Sequence, residues 1–182
     1  RLPRRMSAVL SIRDAMPADM EAVTAIYAPA VRHGTASFEL DPPDVATMTR
    51  RFAAVVESGL PYLVALSEGQ IVGYAYAGLY RPRPAYRFTV EDSIYVAPEA
   101  KGGGVGSALM AVLLDRATAA GARQMLAVIG DPPHQPASIA LHRRFGFTDA
   151  GLLRAVGWKF DAWRDTLLML RALGSGAASP PA

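Results

Sequence analysis

The stretch VAPEAKGGGVGSALMAVLLDRA, residues 96–117, decides the fold. The apolar end of a predicted strand gives way to three consecutive glycines, then to Gly106 and a long amphipathic segment. A glycine-rich turn between a strand and a helix lets the backbone approach a ligand closely. The free N–H groups and the positive dipole end of the helix favour an anion there. The stretch therefore predicts a phosphate-binding turn.

Two common phosphate loops fit this turn poorly. The nucleoside-triphosphate loop needs a lysine and a hydroxyl residue directly after its last glycine, where this chain has Ser107 and Ala108. The dinucleotide fingerprint needs a third glycine at the position of Ser107, and it belongs to the first strand-helix unit of a parallel sheet. The pyrophosphate of a different cofactor remains as the interpretation.

Strand and helix patterns alternate on both sides of this turn. The stretch 104–120 predicts a helix whose buried stripe is Leu109, Val112, Leu113, Ala117 and Ala120. The order β-α-α-β-β-β-α-β-α-β-β predicts an α/β (α+β) fold, a mixed sheet with helices on both faces. Strands are predicted over 11–15, 62–66, 71–79, 88–96, 124–130, 147–156 and 165–173, with further helices following residues 17, 44 and 136.

Composition and charge argue against several classes of function. The formal charge is +3, but three arginines in the opening RLPRR account for it, and the other 16 basic residues balance 16 acidic ones. We therefore expect no nucleic-acid partner. The absence of cysteine removes disulfides, thiolate metal ligands and a cysteine nucleophile, and we expect no metal site. No apolar run approaches the roughly 20 residues of a membrane span, and nothing resembles a signal peptide, so we expect a cytoplasmic protein without a membrane partner.

A length of 182 residues, 51% of them apolar, is sufficient for one domain with a real core. We exclude residues 1–6 as a cloning remnant or a disordered start, because Met6 marks a natural beginning. Residues 7–173 are assigned to the single domain. Residues 174–182, GSGAASPPA, have too little apolar surface to order and are predicted to be a flexible tail.

The loop KGGGVG, residues 101–106, is similar to the acyl-CoA pyrophosphate loop of the GNAT superfamily of N-acetyltransferases. Three further segments, IYAPAVRHGTASFE, YLVALSEGQIVGYAYAGLYRPRPAYRFTVEDSIYV and SIALHRRFGF, resemble its phosphinothricin and methionine sulfoximine acetyltransferase branch in order and spacing. The resemblance covers residues 11–173. It implies a GNAT-like central sheet with a splayed strand pair at the acyl-CoA site, acetyl-CoA as the acetyl donor, and a homodimer.

The same resemblance implies the cofactor contacts. Lys101 departs from the usual Gln or Arg, and Gln135 stands where the family has an asparagine. His142 occupies the place of a tyrosine that protonates sulfur in many members. It can serve as that general acid or only pack in the structure with a hydrogen bond. The same two roles are open for Tyr95. The predicted cofactor-binding residues are Ile94, Tyr95, Val96, Lys101, Gly102, Gly103, Gly104, Val105, Gly106, Ser107, Gln135 and His142.

Glu91 is the candidate catalytic residue. Strand alternation over 88–96 places Glu91 on the polar face with Thr89, Ser93 and Tyr95, and Asp92 on the opposite, apolar face. A mid-strand carboxylate is costly to bury without a partner. It can face solvent or pair with neighbouring arginines; the resemblance instead implies a base that takes the proton of an amine. The resemblance also implies a β-bulge near Asp92 that splays the strand.

An arginine-rich loop just before Glu91 predicts how the acceptor is selected. Guanidinium groups suit carboxylate or phosphinate, although the loop can also serve only as a solvated surface. The predicted substrate-binding residues are Phe38, Arg81, Arg83 and Tyr86, with Arg87 beside them. We predict an acetyl-CoA-dependent N-acetyltransferase that acetylates the α-amino group of small amino acids or analogues, of the phosphinothricin and methionine sulfoximine or sulfone type. The alternatives are another primary amine (a polyamine, aminoglycoside or protein N-terminus) or a non-catalytic acyl-CoA sensor.

Overall fold

Seven strands form one mixed sheet in the computed structural model, which describes residues 9–181. The strands are β1 (Leu10–Asp14), β2 (Tyr62–Ser67), β3 (Gln70–Leu79), β4 (Thr89–Val96), β5 (Gln124–Gly130), β6 (Thr148–Trp158) and β7 (Trp163–Ala172). The helices are α1 (Met20–His33), α2 (Val45–Glu57), α3 (Val105–Ala119) and α4 (Pro136–Arg144). This order of elements is the predicted one. Residues 1–6, predicted to be a cloning remnant or a disordered start, lie outside the described residues.

The sheet order is β1-β2-β3-β4-β5-β7-β6, and only the β4–β5 pair within residues 9–181 is parallel. That ladder is short. It runs from Thr89↔Gln124 to Glu91↔Leu126 and stops, although β4 continues to Val96 and β5 to Gly130. The two strands therefore separate after Glu91, which confirms the predicted splayed pair in the middle of a mixed sheet.

The predicted β-bulge near Asp92 is wrong. β4 pairs with β3 in unbroken register from Leu79↔Val90 to Gly73↔Val96. The side-chain alternation of β4 is therefore never reset, and Asp92 stays on the face that strict alternation assigns to it. The splay comes instead from the end of the ladder with β5 at Glu91.

Helices cover both faces of the sheet, as predicted. On one face, α3 buries Leu109, Leu113 and Ala117 against sheet residues such as Met125. On the other face, α1 and α2 build a second core from Met20, Val23, Met48, Phe52 and several sheet tyrosines.

The prediction that Ala120 belongs to the buried stripe of α3 is wrong. Ala120 is exposed, because the helix ends at Ala119 and Ala120 lies past its last turn. Among residues 9–181, no helix has both the length and the apolar character that crossing a bilayer requires.

Residues 174–181 lie against Arg123. The Arg123 guanidinium donates to the backbone oxygens of Gly176 and Ser179 at 2.9 and 2.7 Å. The composition of the tail does not reveal this contact, because its partners are main-chain carbonyls. Flexibility of the tail stays a prediction.

Candidate active site

The glycine-rich turn leaves main-chain N–H groups free at the start of α3. Gly102 and Gly104 have φ of 78° and 81°, a left-handed conformation that costs other residues free energy. Residues 101–104 are exposed, and no side chain caps α3 at Gly104. Since the first N–H groups of a helix have no intrahelical partner, those at the start of α3 point toward any ligand in the turn.

Two glycines fix this turn against the rest of the fold. A Cβ added at Gly73 of β3 would lie 2.9 Å from Cγ1 of the buried Val105. A Cβ added at Gly106 would lie 3.4 Å from Cδ2 of Leu141 on α4. The first turn of α3 is therefore packed closely on both β3 and α4.

Arg144 adds a positive charge beside the turn. Its Nη1 lies 3.1 Å from Oγ of Ser107, while its neighbour Arg143 pairs with the exposed Asp149 at 3.1 Å. Arg143 thus lies on the solvated surface of α4, whereas Arg144 lies next to the predicted phosphate site.

The unpaired part of β4 presents backbone donors to the gap between β4 and β5. The N–H of Tyr80 donates to the carbonyl of Thr89, and that of Ala97 donates to the carbonyl of Val72, so odd-numbered residues of β4 bond to β3. In an antiparallel pair the residues between them turn the other way. The N–H groups of Ile94 and Val96 therefore face the gap, beyond the end of the β5 ladder.

Glu91 lies at the residue where β4 leaves β5. It is half-buried and faces Gly78 across the β3–β4 pair, which leaves room beside its carboxyl group. Burial, and then the charge of Asp92, raises the pKa of Glu91 above its ordinary value. Within residues 9–181 it forms no ion pair with the arginines that precede it in the chain. The arrangement suits a proton acceptor better than a surface ion pair.

Asp92 and His142 form a buried pair on the opposite face of β4. Nε2 of His142 lies 2.9 Å from Oδ2 of Asp92, and Nδ1 lies 2.7 Å from the carbonyl oxygen of Ser138. A carbonyl only accepts, so Nδ1 carries a hydrogen. Burial lowers the pKa of His142, but the hydrogen bond and charge of Asp92, with the Ser138 carbonyl, outweigh it and raise the pKa. The sequence left the role of His142 open and gave Asp92 none.

Tyrosine rings cover the face of the sheet that carries Glu91. Tyr95 meets Tyr27 edge to face at 4.9 Å and stacks on Tyr74 at 5.5 Å. Tyr76 lies opposite Ser93, two residues along β4 from Glu91 and on the same face. Burial raises the pKa of Tyr76, a hydrogen bond to Ser93 lowers it, and the charge of Glu91 raises it further. A narrow cavity of about 30 Å³ opens among these side chains, lined by Tyr27, Met48, Arg51, Val55, Tyr62, Tyr74, Tyr76 and Tyr95.

A charged network borders the tyrosines, and sequence reasoning missed it. Arg51 of α2 donates Nη1 to Glu39 at 3.0 Å and Nη2 to its other oxygen at 2.5 Å. The hydroxyl of Tyr27 donates to the same carboxylate. Burial, and then the bond to Glu39, raises the pKa of Tyr27 to about 12. Glu39 thus ties the loop after α1 to both helices of this face.

The four predicted substrate residues fall into two groups. Arg81, Arg83 and Tyr86 lie exposed in the β3–β4 loop, at the same end of β4 as Glu91. Tyr86 meets Tyr80 edge to face at 5.5 Å. Within residues 9–181, neither Arg81 nor Arg83 has an ion-pair partner, and the guanidinium of Arg81 lies over the ring of Tyr80 at 5.1 Å.

Phe38 forms the second group, in the loop between α1 and α2. Its half-buried ring packs against Gly130 and Gly157, at the ends of β5 and β6. Gln135, a predicted cofactor contact, directs its Nε2 toward Oγ1 of Thr35 in this same loop, at 3.5 Å. The structure therefore brings Gln135 to the loop that carries Phe38.

The structure thus has a splayed β4–β5 pair, and β4 is followed by an uncapped, glycine-rich helix start, the arrangement that the resemblance implies for an acyl-CoA site. Residues 23–147 match the Acetyltransferase (GNAT) family, and the chain belongs to that family. The resemblance predicted from residues 101–106 and the three longer segments is confirmed.

Similar proteins define the branch. The chain is 52% identical to the phosphinothricin N-acetyltransferase of Alcaligenes faecalis, over 90% of this chain and 82% of that protein. It is 40% identical to the L-methionine sulfoximine/L-methionine sulfone acetyltransferase of Pseudomonas paraeruginosa, over 93% and 98%. A crystal structure of a GNAT superfamily phosphinothricin acetyltransferase from Sinorhizobium meliloti in complex with AcCoA superimposes with a TM-score of 0.91, at 50% identity, over 97% of this chain and 94% of that one.

Proposed function

We propose that this protein transfers the acetyl group of acetyl-CoA to the α-amino group of small amino acids or their analogues, by direct attack in a ternary complex. The observation that carries the proposal is Glu91, a half-buried carboxyl group with a raised pKa at the point where β4 leaves β5. The names of the relatives support acceptors of the phosphinothricin and methionine sulfoximine or sulfone type.

The donor occupies the glycine-rich turn and the gap beside it. The pyrophosphate of acetyl-CoA accepts from the N–H groups of Gly102 and of residues 104–107, with Lys101 and Arg144 as nearby positive charges. The N–H of Gly103 instead donates to the carbonyl of Ala100. The pantetheine arm follows the unpaired edge of β4. The N–H groups of Ile94 and Val96 then polarise the thioester carbonyl, where negative charge develops during attack.

Glu91 begins the chemistry on the acceptor. An ammonium cannot attack a thioester, and an amine with a pKa of about 8 or above is mostly protonated at neutral pH. Glu91 takes that proton, directly or through water, and the freed nitrogen bonds to the carbonyl carbon. The C–S bond then breaks, the electron pair leaves with sulfur, and the nitrogen loses a second proton to solvent or to the departing thiolate, which gives the neutral amide. Because a thiol has a pKa of about 8.5, the thiolate departs with little acid assistance.

The arginine-rich loop and Phe38 orient the acceptor. Arg81 and Arg83 are exposed and have no ion-pair partner among the described residues, so they are available for the carboxylate or the anionic side-chain group. By contrast, Arg51 is already neutralised by Glu39. This placement directs the α-amino group toward Glu91.

Thiol release from acetyl-CoA with a panel of amines tests the proposal. The panel contains phosphinothricin, methionine sulfoximine, methionine sulfone and ordinary amino acids, together with a polyamine, an aminoglycoside and a peptide N-terminus. Turnover on the amino acids or analogues supports the proposal. Turnover only on the other amines would favour a different acceptor class, and coenzyme A binding without turnover would favour the sensor.

A homodimer and a cytoplasmic location are part of the same proposal. Six large apolar side chains of the β6–β7 hairpin are 44% to 65% exposed: Leu152, Leu153, Val156, Trp158, Phe160 and Trp163. Exposed apolar side chains concentrated in one hairpin favour a protein interface, and a second copy is the occupant we propose. Sedimentation is expected to give a dimer for the wild type and a monomer for Trp163→Glu; a wild-type monomer at micromolar concentration would contradict it.

A further inference from the structure

Lys159 is a buried lysine that the proposed chemistry does not use. It lies at the turn between β6 and β7 and is only 2% exposed. Its main chain is fixed, because its N–H donates to the carbonyl of Ala162 at 3.1 Å and its own carbonyl accepts from Arg164 at 3.2 Å. A buried ammonium group is costly unless it is fully hydrogen-bonded.

The ammonium of Lys159 reaches across to the segment that follows α1. Nζ donates to the carbonyl oxygens of Val31 and Ser37, at 2.8 Å each. Val31 belongs to the last turn of α1, where carbonyls lack intrahelical partners and a positive charge is favourable. Ser37 lies next to Phe38. Lys159 thus closes the end of α1 and the following loop onto the β6–β7 turn.

The loop over residues 34–40, here called the acceptor loop, is held at three consecutive residues. The hydroxyl of Ser37 lies 2.7 Å from that of Tyr27, and Glu39 pairs with Arg51. Between them, the ring of Phe38 lies so close to Gly157 that an added Cβ there would be 2.3 Å from Cε2 of the ring. Lys159, two residues after Gly157, adds a buried ammonium group that binds the carbonyl of Ser37 in this loop.

We propose that Lys159 is a positioning residue that sets the affinity for the amine acceptor by fixing the acceptor loop and Phe38. The inference rests on the proposed function, because it takes the acceptor loop to contact the amine substrate. Lys159 does not touch the reacting atoms. Its hydrogen bonds within residues 9–181 go to neither the glycine-rich turn nor β4, so we expect it to affect the affinity for the acceptor more than that for acetyl-CoA.

The test compares steady-state constants for four variants. Lys159→Met keeps the stem and removes the ammonium, Lys159→Arg keeps a charged donor, and Gly157→Ala displaces the Phe38 ring without altering Lys159. Arg154→Met is the control, because this arginine of the same hairpin is 79% exposed in its side chain. Amide hydrogen exchange of residues 34–40 is followed in the same proteins.

We expect Lys159→Met to raise the KM of the acceptor about tenfold or more, the scale of losing hydrogen bonds from a charged donor. The KM of acetyl-CoA is expected to stay within about twofold, and kcat to change less than the acceptor KM. Gly157→Ala is expected to act in the same direction, Lys159→Arg to lie between Lys159→Met and wild type, and Arg154→Met to match wild type. Exchange of residues 34–40 is expected to quicken in Lys159→Met and Gly157→Ala alone.

Equal rises in the two KM values, or an unchanged acceptor KM in a folded Lys159→Met protein, would overturn the inference. If Lys159→Met does not fold, Gly157→Ala decides by the same criteria. If the wild type acetylates no amine, the proposed function fails. In that case the inferred effect of Lys159 on substrate affinity fails too. Amide hydrogen exchange then shows only whether Lys159 orders the acceptor loop.

Discussion

The proposed donor side and the proposed acceptor side of this molecule are built from different parts of the chain. The donor side consists of main-chain groups from one continuous segment, residues 94–107, in which a strand edge is followed by a glycine turn and a helix start. The proposed acceptor side consists of side chains from several segments, including Phe38, Arg81, Arg83 and Glu91. Backbone geometry alone can bind a pyrophosphate, whereas selecting one acceptor requires side chains of particular charge and shape.

The two sides also differ in whether their charged groups are buried or exposed. The donor turn, residues 101–104, is exposed and depends on helix-terminal N–H groups. Near the acceptor side, Lys159 is buried with its ammonium hydrogen-bonded to two carbonyl oxygens, and the Asp92–His142 pair is buried on the other face of β4. Substitutions on the donor side are therefore expected to change cofactor affinity modestly, and those around β4 to change rate and stability strongly.

The largest expected effect is that of Glu91→Gln, which keeps the shape of the side chain and removes the base. Loss of a general base lowers kcat by about 10²–10⁴-fold, while the KM of acetyl-CoA should stay within about twofold. Thiol release at saturating acetyl-CoA measures it. Glu21→Gln, at an exposed position in the first turn of α1, is the control. Retention of more than about a tenth of the rate by Glu91→Gln would place the base elsewhere.

Asp92→Asn is expected to destabilise the fold next most strongly. Removing one partner of a buried ion pair costs about 3 kcal/mol, because the other partner stays buried without its counter-charge. The pKa of His142 is raised in the folded state, so its contribution to stability is fully present below about pH 6.5 and is lost as pH rises through the folded pKa. Urea unfolding should therefore give a larger difference between wild type and variant at pH 6 than at pH 9.

Asp149→Asn provides the matched control for that experiment, because it breaks an exposed ion pair. The side chain of Arg143 is 59% exposed and that of Asp149 is 51% exposed. A change within about 0.5 kcal/mol is expected there. A difference between wild type and Asp92→Asn that does not depend on pH would show that the pair is not ionised as described.

Gly104→Ala tests the donor side. An alanine at φ 81° costs about 1–2 kcal/mol, and relaxation of the turn moves the N–H groups that bind pyrophosphate. The KM of acetyl-CoA is expected to rise about five- to tenfold. Gly59→Ala imposes similar strain, at φ 74° with open space around it and far from the site. Equal effects of the two variants on the KM of acetyl-CoA would contradict a binding role for the turn.

The smallest expected effect belongs to Arg144→Ala. This exposed arginine reaches Ser107, and an exposed charge near a phosphate contributes on the order of 0.5–1 kcal/mol. The KM of acetyl-CoA should rise about two- to fivefold at low salt and less at high salt. Arg143→Ala, which breaks only the pair with Asp149, should leave it unchanged. The same KM for both variants would remove Arg144 from the donor site.

The glycine-rich turn and the alternation along β4 could be predicted from the sequence, because the patterns that indicate them are local. Glycines at positions of positive φ, the following helix and the alternation along β4 depend on neighbouring residues, so the turn and the face of Glu91 could be predicted. The predicted bulge near Asp92 came from the resemblance and not from the residues, and the unbroken register with β3 corrects it.

The contacts on the acceptor side depend on the topology and could not be predicted in the same way. Asp92 and His142 are 50 residues apart, and Lys159 is 122 residues from Ser37. Single-sequence patterns do not show which distant strands and loops meet. A charged residue in the apolar phase of a buried strand, as at Asp92, does indicate that a buried partner exists, without identifying it.

The pH dependence of kcat/KM for the acceptor, in wild type and Glu91→Gln, tests the central claim most directly. If Glu91 takes the proton of the ammonium, wild-type kcat/KM is level through the neutral range and falls only below the pKa of Glu91, which lies above the ordinary 4.5. In Glu91→Gln the amine must arrive deprotonated, so kcat/KM should rise about tenfold per pH unit up to the pKa of the amine. Profiles of the same shape in the two proteins would contradict Glu91 as the base.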